Sequence, residues 1–151
     1  MLPHHNLTKT AIKFGVGRLK NRREFLQVQR QGRKWAMPGL VVQARKRRPE
    51  EDAALDFSRA RVGFTVSRRV GNAVVRNRAK RRLRAAVAEL LPGFNHKNYD
   101  LVVIGRASTP ERNFDKLVKD LRTALIKLKA FGDNEIPGDE RSGKTDEDGR
   151  D

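Results

Sequence analysis

The stretch SRRVGNAVVRNRAKRRLR, Ser67 to Arg84, carries eight basic side chains and no acidic one, with the triplet Arg76, Asn77, Arg78 at its centre. No acid occurs from Ser67 through Ala88. The chemistry open to such a set is recognition of a polyanion, because guanidinium groups hold phosphate through paired, charge-assisted N–H donors. Wound at about 100° per residue, Val75, Ala79, Leu83, Ala86, Val87 and Leu90 form one apolar stripe that must pack inward. Asn77, Arg78, Arg81 and Arg84 then fall opposite, with Arg76, Lys80 and Arg82 on the borders. A merely solvated helix face interleaves Glu with Lys or Arg four residues apart, whereas like charges at that spacing destabilise a free helix. An external anion is therefore needed to compensate this one. Just before the helix, Ser67, Arg68, Arg69, Gly71 and Asn72 set two cations and free backbone N–H groups beside the positive end of the helix dipole, where a phosphate fits.

The elements that position this helix are legible in outline. Asn21 with Glu24 three residues on makes a capping pair, and Phe25, Leu26 and Val28 give an apolar side before Gly32 stops a short helix. GLVVQAR (residues 39–45) and the alternating RVGFTVS (residues 61–67) predict strands, and Lys46 to Ala60 between them, polar and containing Pro49, predicts a mobile loop. Asn72 caps the basic helix, which Pro92-Gly93 ends. The apolar run YDLVVIG (residues 99–105) predicts a strand buried on both faces. A last helix is predicted from a Thr109 cap and Pro110 to Gly132, with Phe114, Leu117, Val118, Leu121, Leu125 and Leu128 at helical spacing. The order helix, strand, strand, helix, strand, helix predicts an α+β protein, a two-layer sandwich of helices on a sheet.

At 151 residues the chain predicts one domain, residues 18–131, between a flexible N-terminal segment (residues 1–17) and a disordered acidic tail (residues 132–151). The net charge of +16 is unevenly spread: the tail holds eight acids against three bases, leaving 31 bases against 10 acids in the remainder. A body so cationic repels itself unless a polyanion neutralises it; nucleic acid is the commonest, and an anionic membrane surface is the rival. No apolar run approaches the ~20 residues of a membrane-spanning helix, and the start lacks the apolar core of a secretory signal. With no cysteine, the composition fits a soluble protein of the reducing cytoplasm.

Little in the sequence offers catalysis by the protein itself. His4, His5 and His96 are scattered. No Ser-His-Asp arrangement, Gly-rich phosphate loop or metal-ligand spacing occurs, and a two-metal nuclease would need several convergent carboxylates. Glu50, Glu51, Asp52 and Asp56 cluster instead in the predicted loop. A protein-only nuclease is thus disfavoured, while a general RNA-binding or ribosomal-type protein shares the charge but not the ordered motifs.

Those motifs resemble the bacterial ribonuclease P protein subunit family, whose hallmark is an Arg-Asn-Arg triplet followed by basic residues on one helix. RLKNRREFLQVQRQG (residues 18–32) is similar to the family's N-terminal helix, RVGFTVS to the strand entering the motif, and YDLVVIGR (residues 99–106) to the strand after it. The resemblance implies an α-β sandwich with a left-handed βαβ crossover around the basic helix. It implies that the chain joins a large catalytic RNA, ribonuclease P RNA, to remove 5′ leaders from precursor tRNA, with no dedicated protein partner and with Mg²⁺ held mainly by the RNA. By position it implies RNA binding for Ser67, Arg68, Arg69, Asn72, Arg76, Asn77, Arg78, Lys80, Arg81 and Arg84. Phe25 falls on an aromatic of the cleft that contacts the single-stranded leader. Gln29 and Gln43 stand where the family often has further aromatics, so leader stacking is expected to be weaker or shared with Trp35.

Overall fold

The computed structural model describes residues 16–131. His4, His5, Gly132, the acidic tail and most of the expected N-terminal segment lie outside them. The elements are β1 (Gly17–Arg18), α1 (Arg22–Gln31), β2 (Arg33–Ala36), β3 (Leu40–Lys46), α2 (Pro49–Leu55), β4 (Arg61–Thr65), α3 (Ala73–Leu90), β5 (Tyr99–Gly105) and α4 (Phe114–Lys127). One five-stranded sheet has the order β1-β4-β5-β3-β2. β1, β4 and β5 run parallel, and β3 is antiparallel to both β5 and β2. The chain passes from β4 through α3 to the adjacent parallel strand β5, so the basic helix is itself the crossover of a βαβ unit. The α+β sandwich expected from the sequence is the fold observed.

Burial explains the layering. Leu40, Val42, Val62, Leu101 and Val103 turn to one face of the sheet and pack with Ala79, Leu83, Ala86 and Val87 of α3 and Leu117, Leu121 and Leu125 of α4. The opposite face is partly covered by α1, where Val28 closes over Val102 and Leu19, flanked by Phe25 and Ile104. β5 sits centrally and is buried on both sides, as its continuous apolar run requires.

Three expectations are corrected. Lys46 to Ala60 is not a mobile loop: it contains α2, with Pro49 at its first position and Glu51 accepting from the N–H of Arg48 at 2.7 Å. Arg47 at its entrance is 2% exposed. The last helix begins not at Thr109 but at Phe114, capped by Asn113, whose Oδ1 accepts from the N–H of Lys116 at 3.1 Å. The Thr109 hydroxyl is buried in a turn, accepting from the N–H of Arg106 and donating to the carbonyl of Gly39, both at 2.7 Å. That helix stops at Lys127, and Lys129 turns into the left-handed region at φ 63° before Gly132 is reached. Two short strands, β1 and β2, add to the three expected.

Candidate nucleic-acid interface

The interface is built on α3, and its start is set by local side-chain hydrogen bonds. Asn72 Oδ1 accepts from the N–H of Val75 at 3.0 Å, while Ser67 Oγ accepts from the N–H of Arg69 at 3.3 Å in the short 3₁₀ turn Arg68–Val70. Such a cap contributes about 1 kcal/mol. Gly71, at φ 157°, joins the turn to the helix where a Cβ would lie 2.7 Å from the Val75 side chain. Ser67, Arg68, Arg69 and Asn72 are all exposed around this junction.

Along α3 the two faces separate as the 3.6-residue period demands. Ala79, Leu83, Ala86 and Val87 are buried; Asn77, Arg78, Arg81 and Arg84 are exposed, and Arg76, Lys80 and Arg82 lie between. Their partners differ. Arg76 Nε donates to the carbonyl of Gly71 at 3.1 Å, which folds its stem back over the helix start. Arg78 pairs with Glu111 at 2.8 Å in an exposed bridge, the kind worth ~0–1 kcal/mol and readily exchanged for another anion. Arg84 lies over the ring of Phe64, 5.6 Å from its centroid. Arg82 acts as a fastener instead. Its guanidinium donates to the carbonyls of Thr109 and Arg112 and lies 5.9 Å from the Phe114 centroid, tying α3 to the segment ahead of α4. Among the described residues, exposed Arg68, Arg69 and Arg81 and half-buried Lys80 are paired with no carboxylate, so these cations are uncompensated beside Arg78.

The strand register divides the three expected leader-cleft residues. Lys34, Gln43, Val102 and Gly63 form one cross-strand row on the α1 face. Gly63 has no side chain, and Phe25 of α1 occupies that space: a Cβ on Gly63 would stand 2.5 Å from the tip of its ring. Phe25 and Gln43 therefore share a surface. Trp35 does not. Its row is Trp35, Val42, Val103, Phe64, on the opposite face, where Trp35 packs against the main core and Lys127 Nζ lies 5.6 Å from its ring centroid. A residue one step along a strand faces the other way, so Trp35 stands on the opposite face of the sheet from Phe25 and Gln43.

A groove of about 470 Å³ joins the two surfaces across the outer edge of β4, where β1 pairs only with Arg61 and Val62. Phe25 and Phe64 contribute rings, and Arg18, Lys20, Lys80 and Arg84 contribute charge; no acid lines it. Arg18, Lys20 and Phe64 were not singled out from the sequence. A basic residue just ahead of a capping Asn offers no signal until the sheet brings it beside α3.

Four of the acids are engaged away from this face. Asp100, 1% exposed, accepts from Nη2 and Nε of Arg61 at 2.8 and 2.9 Å, from Arg47 at 2.6 Å and, more distantly, meets Arg45 at 3.9 Å. Arg45 also meets Glu51 at 2.5 Å and Arg47 meets Asp52 at 2.8 Å, which anchors α2 to the end of the sheet. Burial penalises the Glu51 carboxylate, but the hydrogen bonds from Arg45 and the Arg48 backbone, with both arginine charges, outweigh that and lower its pKa. Asp120 pairs with Arg112 at 2.7 Å and accepts from the N–H of Gly39 at 2.9 Å. Among the described residues, no group of three or more His, Asp or Glu converges as a metal site would, and no helix is long and apolar enough to cross a membrane.

Comparison with known proteins agrees with this arrangement. A family model described as Ribonuclease P matches residues 16–129. The ribonuclease P protein component of Paramagnetospirillum magneticum is 50% identical over 116 residues, which cover 77% of this chain and 85% of that protein. Its counterpart in Gluconacetobacter diazotrophicus is 51% identical over 115 residues, covering 76% and 93%. Among solved structures, the Thermotoga maritima RNase P protein in complex with 1-(4-fluorophenyl)-2-thiourea is 29% identical, with a TM-score of 0.58 over 74% of this chain and 97% of that one. A Staphylococcus aureus RNase P protein shares the fold at 24% identity, with a TM-score of 0.67 over 87% and 99%. The basic helix, the βαβ unit that presents it and this agreement over three-quarters of the chain place it in the bacterial ribonuclease P protein family, the protein component of the endoribonuclease that processes tRNA.

Proposed function

We propose that the outer face of α3 and the turn before it bind the catalytic ribonuclease P RNA, while the α1 face, through Phe25 and Gln43, contacts the single-stranded 5′ leader of precursor tRNA. The observation that carries this reading is the set of exposed cations, Arg68, Arg69 and Arg81, with half-buried Lys80 at their border, none with a carboxylate partner among the described residues, beside Arg78 in a bridge that an RNA phosphate can replace. Such a face lowers the repulsion between two RNAs, so substrate and Mg²⁺ bind at lower ion concentration, with the Mg²⁺ held by RNA phosphates. The carboxylates that could have ligated a metal, at Glu24, Glu51, Asp52, Asp100 and Asp120, each face an arginine. The setting for this chemistry is the cytoplasm.

Neutralising about 6 phosphates gives a log–log salt slope of roughly −4 on the single-strand coefficient. The test is reconstitution with a bacterial ribonuclease P RNA at low Mg²⁺. The chain is expected to stimulate precursor-tRNA cleavage, and Arg76→Ala with Arg78→Ala to weaken assembly or cleavage about tenfold or more while circular dichroism stays nearly constant. Absence of stimulation refutes the proposal; cleavage by the protein alone would assign the chemistry to the protein.

A further inference from the structure

Glu24 occupies an unusual junction. One carboxylate oxygen accepts from the backbone N–H groups of Lys20 at 2.5 Å and Asn21 at 3.1 Å, completing the capping box of α1 with Asn21 Oδ1, which accepts from the N–H of Glu24 at 3.1 Å. The other oxygen accepts from Arg61 at 3.0 Å, and Arg61 is in turn forked onto the buried Asp100. A capping box alone needs no partner on a strand. Here it is bolted to β4, so the first turn of α1 has one height and one rotation over the sheet.

The next residue is Phe25, and the residue two along β4 from Arg61 is Gly63, the seat of the Phe25 ring. In a strand, positions two apart lie on the same face. The ion pair and the aromatic seat are therefore adjacent supports of the same helical turn. Apolar packing at this end is thin: the second core holds only Leu19, Val28 and Val102 as fully buried members, with Phe25 and Ile104 half-covered. Burial works against the charge of Arg61, but hydrogen bonding to Asp100 and the charges of Asp100 and Glu24 outweigh it, so the guanidinium stays firmly charged.

We propose that Glu24 and Arg61 are positioning residues for leader recognition: the Asp100–Arg61–Glu24 relay fixes the first turn of α1 and thereby holds Phe25 where it meets the leader. This rests on the reading of Phe25 as a leader contact. Neither Glu24 nor Arg61 needs to touch RNA. Glu24→Gln keeps an oxygen for the two backbone N–H groups while removing the charge that faces Arg61. Arg61→Lys keeps the charge but loses the fork, since one ammonium cannot bridge Asp100 and Glu24 as a planar guanidinium does.

The experiment measures holoenzyme affinity for a precursor tRNA carrying a single-stranded leader and for the same tRNA without it, in wild type, Phe25→Ala, Glu24→Gln, the double variant and Arg61→Lys. Phe25→Ala and Glu24→Gln should each lower the leader-dependent part of the affinity by roughly three- to tenfold, with Arg61→Lys following Glu24→Gln. Affinity for the leaderless tRNA and of the protein for the catalytic RNA should stay within about twofold of wild type, which general loosening of the fold would not allow. In the Phe25→Ala background Glu24→Gln should add nothing. If Phe25→Ala weakens leader binding while Glu24→Gln does not, or if the two losses multiply, the relay does not act through Phe25 and the proposal is overturned. If Phe25→Ala has no effect, the leader reading itself fails and the proposal with it.

Discussion

The outer face of α3 and the cluster around Asp100 are built from the same side chain and use it in opposite ways. On α3 and the turn before it, Arg68, Arg69 and Arg81 stand exposed without an ion partner among the described residues, and no acid lies between Ser67 and Ala88 to offer one. Around Asp100, Arg45, Arg47 and Arg61 are 12% exposed or less in their side chains, and each is matched to two carboxylates. What separates them is strand register and one short helix. Asp100 is the cross-strand neighbour of both Arg45 and Arg61, and α2 brings Glu51 and Asp52 to Arg45 and Arg47. The number of basic residues therefore overstates the cations available to RNA: some of them are internal structure, already matched by carboxylates.

Removing the hub gives the largest expected effect. Asp100→Asn leaves three closely packed guanidinium groups without their shared counter-charge, and losing one partner of a buried pair costs about 3–5 kcal/mol. Urea denaturation should show a loss of that size, while the protein that remains folded binds RNA with the wild-type salt slope. A change in that slope larger than the loss of one charge would blur the division between the two regions. The next contrast lies within α3, at neighbouring positions. Arg82→Ala removes two bonds to the Thr109 and Arg112 carbonyls and should destabilise by roughly 1–3 kcal/mol with little effect on RNA affinity. Arg81→Ala should do the reverse, changing stability by less than about 0.5 kcal/mol while weakening RNA binding several-fold. Equal stability losses for the two variants would mean that exposure on α3 does not separate fastening from binding.

Much of this is readable without coordinates, for physical reasons that also mark the limits. The apolar stripe of α3 and its basic back follow from helical period alone, and the sorting of Asn77, Arg78, Arg81 and Arg84 from Arg76, Lys80 and Arg82 matches the observed exposure residue by residue. The Asn21 and Glu24 capping box is equally local. The helix Pro49–Leu55 escapes a sequence reading because nothing in PEEDAAL is apolar with a helical period; it is held by Arg45 and Arg47, whose distance from it is set by the sheet. Thr109 followed by Pro110 imitates a helix start because the same hydroxyl that could cap is already committed to Arg106 and Gly39. The side on which Trp35 points depends on the pairing of Trp35 with Val42, and a four-residue edge strand, RKWA, carries no alternation strong enough to reveal it. Phe25 fares better, since its place on α1 is a matter of helix geometry and its seat is a glycine.

The smallest effect expected concerns acid, and it tests whether α2 belongs to the internal charge system. The Glu51 pKa is lowered in the folded chain because Arg45 and the Arg48 backbone hydrogen-bond its ionised form. A carboxylate whose folded pKa lies below its unfolded value stabilises the fold fully above the unfolded value, and that contribution fades as pH falls through the folded one. Wild type should therefore exceed Glu51→Gln in stability by a constant margin above the ordinary carboxylate range, and the margin should shrink as pH falls through that range and below it. Arg48→Ala, which leaves the Arg45 bridge and the backbone N–H in place, should keep most of that pH dependence, because the Arg48 side chain is two-thirds exposed and its bridges are loose. A margin that persists undiminished to about pH 3 would show that Glu51 supports α2 through its neutral hydrogen bonds alone. It would then belong with ordinary helix caps, and the ionic cluster would end at Asp52 and Asp100.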